Sequence, residues 1–175
     1  MRGKQSFTLI ELLIVIAIVA ILALIAMPNY LEAQTRAKVA RCRADMKSVA
    51  CAMECYCVDY QIYPPKPTMS ARRVWQVALT TPVAYITAPL PDVFYTGESL
   101  DNRYYQYSHC PLMRSWIFVS VGPDRVDDFD ETMWMCGRWG TYPALYDPTN
   151  GAISYGDVYR LSKQGGHVPM YMRGD

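Results

Sequence analysis

The sequence predicts an α+β fold: one long N-terminal helix, membrane-spanning in its first half, whose second half packs on a small antiparallel β-sheet. Three observations predict it. Phe7 to Met27 is a run of 21 residues interrupted by a single charge, Glu11. Tyr30 to Tyr60 contains neither Gly nor Pro and carries one apolar stripe. Beyond residue 100, aromatic and β-branched runs alternate with turn residues, and no strand–helix–strand alternation intervenes.

The first run matches the roughly 20 apolar residues that a helix needs to cross a bilayer. Arg2 and Lys4 precede it, so the positive-inside rule leaves the N-terminus cytoplasmic and exports the bulk of the chain. A cleavable secretory signal has a shorter apolar core followed closely by a small-x-small site, and no Ala-x-Ala closely follows the run here. Glu11 requires a partner, because a charge at the bilayer centre costs roughly 2.5–3.5 kcal/mol. Ala17, Ala20, Ala23 and Ala26 recur every third residue. Such a row lets helices approach closely in lipid, and Ala is equally a good helix former in its own right.

The small residue Ser6 followed by Phe7-Thr8-Leu9-Ile10-Glu11-Leu12-Leu13 resembles the prepilin-type leader shared by type IV pilins and type II secretion pseudopilins. The likeness runs on to Leu22; where the family usually carries Gly before the cut, this chain has Ser6. The resemblance implies a pilin-like fold and cleavage between Ser6 and Phe7 by a prepilin peptidase that then methylates the Phe7 amine. It also implies that Glu11 meets the Phe7 amine of a neighbouring subunit and that Pro28 bends the stem. Pairing of the two charges is physically reasonable, since an unpaired charge in low dielectric is far costlier than a paired one. The implied organisation is a leader over 1–6, a membrane and filament-core helix over 7–29, a soluble stem over 30–62, and a head over 63–175. The implied partners are copies of the same chain, minor pilin-like subunits, the peptidase, an inner-membrane assembly platform, and lipid before assembly. The implied location is the bacterial inner membrane, with the head exported.

In the stem, Val39, Cys42, Met46, Val49, Met53, Tyr56 and Tyr60 alternate spacings of three and four, the stripe of a helix packed on a sheet. Arg36, Lys38, Arg41, Arg43 and Lys47 form a basic patch opposed by Asp45. Its readings are a solvated helix face, headgroup contact, or phosphate contact. Formal net charge is +1, and loss of Arg2 and Lys4 with the leader leaves −1, so nothing in the balance calls for nucleic acid.

Tyr63-Pro64-Pro65-Lys66-Pro67 ends the stem. A short helix is expected over 70–80, capped by Ser70 and closed by Pro82. Leu79-Thr80-Thr81-Pro82 with Leu90-Pro91 resembles a segment of pseudopilin-like proteins. Strands are expected over 103–108, 115–121 and 158–161.

Asp124, Asp127, Asp128, Asp130 and Glu131 crowd after the second strand, and Asp147, Asn150 and Asp157 add oxygens. Calcium takes six to eight such ligands. The order resembles the calcium loop of major pseudopilins, which implies calcium at Asp124, Asp127, Asp128 and Asp157. A solvated acidic loop with Asx-turns is the alternative.

Six cysteines permit many pairings. Cys51, Cys55 and Cys57 share one helix, where internal bridges are disfavoured, which leaves Cys110–Cys136 by elimination. No Cys-x-x-Cys occurs to hold zinc. No nucleophile elbow, phosphate loop or His-Glu-x-x-His occurs either, so the expectation is a substrate of an enzyme rather than an enzyme. The resemblance to prepilin-type proteins implies a filament subunit, foremost a type II secretion pseudopilin. A type IV pilus subunit for adhesion, motility or DNA uptake, and a monomeric membrane-tethered binding protein, are the alternatives.

Overall fold

A computed structural model describes residues 8–65, 74–97, 103–110, 115–126, 146–147 and 156–162. Helix α1 (Leu9–Tyr60) is continuous over 52 residues, about 80 Å at 1.5 Å per residue. It passes through Pro28 without a break and stops at Gln61, whose left-handed backbone (φ 60) lets its N–H donate to the Cys57 carbonyl. Helix α2 (Val74–Ala78) follows. Strands β1 (Gln106–Cys110), β2 (Ser115–Ser120) and β3 (Val158–Leu161) form an antiparallel sheet in the order β1-β2-β3. The expected α+β arrangement, a long apolar N-terminal helix with a small antiparallel sheet, is the one observed.

The stripe on α1 is the packing face. Val39, Cys42, Met46, Val49 and Met53 are buried, and burial then passes to Cys57, leaving Tyr56 half-buried and Tyr60 exposed. The 4-4 step from Val49 through Met53 to Cys57 follows the drift of a 3.6-residue turn. The first strand is displaced from its expected position. Pairing begins at Gln106, opposite Val119, and runs to Cys110, opposite Ser115, while Tyr104 bridges Pro91 instead. Partner register, invisible to local propensity, decides which part of an aromatic run becomes strand. Ser70, expected as a cap, lies outside the described residues.

Trp75 on α2 is fully buried and joins the elements. Its ring stacks on Tyr107 and Phe118, at centroid distances of 4.9 and 5.0 Å, and its Nε1 donates to the Tyr105 carbonyl. Gln76 beside it clamps the Leu90 backbone, donating to its carbonyl and accepting from its N–H. Asp92 then accepts from Phe94 N–H, Ser120 Oγ and Val121 N–H, which pins the segment after α2 to the end of β2. A buried carboxylate is tolerable only with such a set of donors.

Candidate functional site

The candidate site is the exposed N-terminal half of α1. From Leu9 to Leu31 its large apolar side chains are all exposed, Leu9 by 87% and Leu24 by 78%. The described fold buries none of this span. Burial of each such side chain is worth about 1.5–3 kcal/mol. The half-helix is therefore a surface that requires lipid or protein around it.

Its start is built locally. Thr8 caps the helix: its Oγ1 accepts from Glu11 N–H at 3.3 Å, while the Glu11 carboxylate accepts from Thr8 N–H at 2.9 Å and Thr8 Oγ1 at 2.6 Å. This is a reciprocal capping box, and it places the only anion of the span where the helix dipole is positive. Glu11 thus has a partner within its own chain. The signal Thr8-x-x-Glu11 stood in the sequence, where Glu11 was assigned only to a neighbour. Ser6 and Phe7, the expected cleavage pair, lie outside the described residues; Pro28 sits within α1, in the exposed half.

The other half of the stem is held by the head. Glu54 accepts from Trp116 Nε1 at 3.0 Å and from the Tyr63 hydroxyl at 3.2 Å, and Asp45 accepts from the Tyr105 hydroxyl at 3.2 Å. These tie α1 to the sheet and to the segment after the stem. Cys42 is buried here, and desolvation, reinforced by Asp92, pushes its thiol up to about 12. It is an inert packing residue at neutral pH. Sequence reasoning missed Asp92, Glu54 and Gln76, because their partners come from other segments. Within the basic patch, Arg36 pairs with Glu32 and Arg41 with Asp45 at 3.8 Å, while Lys38, Arg43 and Lys47 are exposed.

The acidic loops are brought together in part. Gly156 N–H donates to Asp124 Oδ2 at 2.7 Å and Val126 N–H to Asp124 Oδ1 at 3.3 Å, so Asp124 lies beside the turn that carries buried Asp157. Gly122 permits this approach: its φ is +70, and a Cβ there would meet the Gly156 carbonyl oxygen at 2.3 Å. Asp127 and Asp128 lie outside the described residues, as do Cys136 and the side chain of Cys110. Among the described residues no three His, Cys, Asp or Glu side chains are grouped to hold a metal.

Residues 1–27 match the prokaryotic N-terminal methylation motif. Over 63 residues the chain is 36% identical to the type II secretion system core protein G of Pseudomonas aeruginosa, covering 36% of this chain and 44% of that protein. It is 46% identical over 63 residues to the type IV wide pilus major component PilA4 of Thermus thermophilus, covering 36% and 48%. It is 42% identical over 53 residues to the type IV major pilin protein PilA of Myxococcus xanthus, covering 30% and 24%. The chain spans less than half the length of these curated relatives. No solved structure matches it. The prepilin-type motif is thus present, and the relatives that share sequence with the chain include a secretion-system protein and pilins.

Proposed function

We propose that the chain is a structural subunit of a type IV pilus-like filament, held in a membrane by the first half of α1 until it assembles. The observation that carries this reading is the uncovered apolar half of a single continuous helix, its other half locked to a folded head. Such a rod exchanges lipid for neighbouring rods with little change in apolar exposure, and small residues such as Ala17 and Ala20 let helices approach. Prepilin peptidase would cut between Ser6 and Phe7 and methylate Phe7. The new cationic amine then competes with Thr8 for the Glu11 carboxylate, and a neighbour's amine that wins it sets the axial register.

Within the class, the reading is a type II secretion pseudopilin that helps to export proteins, built with minor pilin-like subunits on an inner-membrane platform. The 36% identity over 63 residues to a type II secretion system core protein supports it. Calcium belongs to the same reading. Asp124 with Asp127, Asp128 and Asp157 would supply its oxygen ligands, supported by the approach of the Asp124 and Asp157 turns.

N-terminal sequencing of the membrane-extracted chain should begin at methylated Phe7, and electron microscopy of cells overexpressing it should show filaments. An intact Met1 together with a monomeric chain would overturn the proposal. Melting in millimolar calcium against chelator tests the metal. At a hundredfold excess over Kd the expected gain is about 2.7 kcal/mol, a rise of several degrees, and superimposed curves reject calcium.

A further inference from the structure

Two thiols of the stem face solvent. Cys51 and Cys55 are both exposed, on the face of the distal stem turned away from the sheet. They stand four residues apart, one helical turn, on the same face of α1. Cys42 and Cys57, by contrast, are buried in the packing face.

The helix forbids the usual fate of a close thiol pair. Neighbours at i and i+4 keep their Cβ atoms about 5–6 Å apart, whereas a disulfide needs about 3.5–4.5 Å. An intrachain bridge would require this turn of α1 to unwind, in a segment whose opposite side is anchored by buried Met53. A metal ion inserted between the sulfurs has no such difficulty. At a metal–sulfur distance of about 2.3 Å, a linear sulfur–metal–sulfur unit spans about 4.6 Å. That lies within reach of two side chains rooted 5–6 Å apart.

The ligand count selects the ion. No third His, Cys, Asp or Glu joins the pair among the described residues, and zinc requires four ligands. Soft thiolates favour monovalent copper, and two-coordination suits a closed-shell monovalent ion. Lys47 stands one turn before Cys51 on the same row and Asp59 one turn after Cys55, with Glu54 beside them on the helix. Asp59 accepts from the Tyr85 hydroxyl at 2.5 Å, which holds its carboxylate near this end of the row.

We propose that Cys51 and Cys55 form a two-thiolate site for a soft monovalent cation of the copper(I) class. Binding deprotonates both thiols: one cation and two thiols give an anionic bis-thiolate complex and two released protons, with no change of oxidation state. The site belongs to the stem helix and stands whether or not the chain forms filaments.

The test uses the full chain, reduced and solubilised in detergent under anaerobic conditions. Silver(I) serves as a redox-inert probe, followed by thiolate-to-metal absorption, and copper(I) is measured by competition with a coloured chelator. Wild type should bind one equivalent at this site. Cys51→Ser or Cys55→Ser should each weaken it at least tenfold, whereas Cys57→Ser should leave it unchanged. Apparent affinity should climb roughly a hundredfold per pH unit below the thiol range, because two protons leave per ion. Circular dichroism checks that each variant keeps its helix, and exposed positions make that the expected result. Undiminished binding in Cys51→Ser/Cys55→Ser would falsify the proposal. So would a wild-type chain that is isolated as a covalent dimer which Cys51→Ser abolishes, since the thiols would then serve an intersubunit disulfide.

Discussion

The two halves of α1 are one uninterrupted helix governed by opposite rules. In the first half every described side-chain hydrogen bond is local, three or four residues apart, and the apolar side chains touch no other described element. In the second half the polar groups reach across the chain, Asp45 to Tyr105 and Glu54 to Trp116, while a continuous stripe is buried. The first half is therefore a helix by propensity and environment, and the second is a helix that tertiary packing also holds in place. A chain built this way keeps one apolar surface free without exposing the core of its head.

The largest effect is expected at Glu11. Glu11→Gln keeps a side-chain oxygen that a capping box can use but removes the charge. If the charge serves assembly, membrane insertion should be normal while filament yield, counted by microscopy, falls more than tenfold. Filaments at wild-type yield would reduce Glu11 to the local cap seen here.

On the packed side, the largest stability effect is expected at Trp75. Trp75→Ala removes a buried ring stacked on Tyr107 and Phe118 and should cost about 3–5 kcal/mol in urea unfolding of the head. The apolar half of α1 should keep its helicity in detergent, because none of the described residues of the head covers it. Gly122→Ala should cost less, about 1–3 kcal/mol, by combining positive φ with a clash against the Gly156 carbonyl. Its signature is faster amide exchange at Gly156 and Val126, whose N–H groups Asp124 holds.

The smallest effect belongs to Thr8. Thr8→Ala deletes one side of the capping box, worth about 1 kcal/mol. In a 52-residue helix this should fray the first turn without reducing overall helicity measurably. Amide exchange at Glu11 is the readout. If helicity fell along the whole first half, the cap would be a nucleus rather than a local latch.

Much of this was legible because it is periodic. The apolar run, its lone carboxylate, the basic residues ahead of it and the stem stripe at Val39, Cys42, Met46, Val49 and Met53 are all repeats or punctuation along the chain, and local physics reads them directly. The capping box was legible too, since Thr8 and Glu11 are three residues apart. Membrane-length helix, stem and strand-rich head were thus determined by sequence alone. Tertiary structure decided what depends on partners distant in sequence. The first strand moved to Gln106–Cys110 because β2 set its register. Asp92 became a buried anchor because Ser120 and Val121 arrive beside it, and Asp124 met the Asp157 turn because two glycines let the loops close. Cys55 and Cys57, two residues apart, could not be ranked by type. Only the side of the helix that the sheet covers made Cys57 core and left Cys55, with Cys51, in solvent.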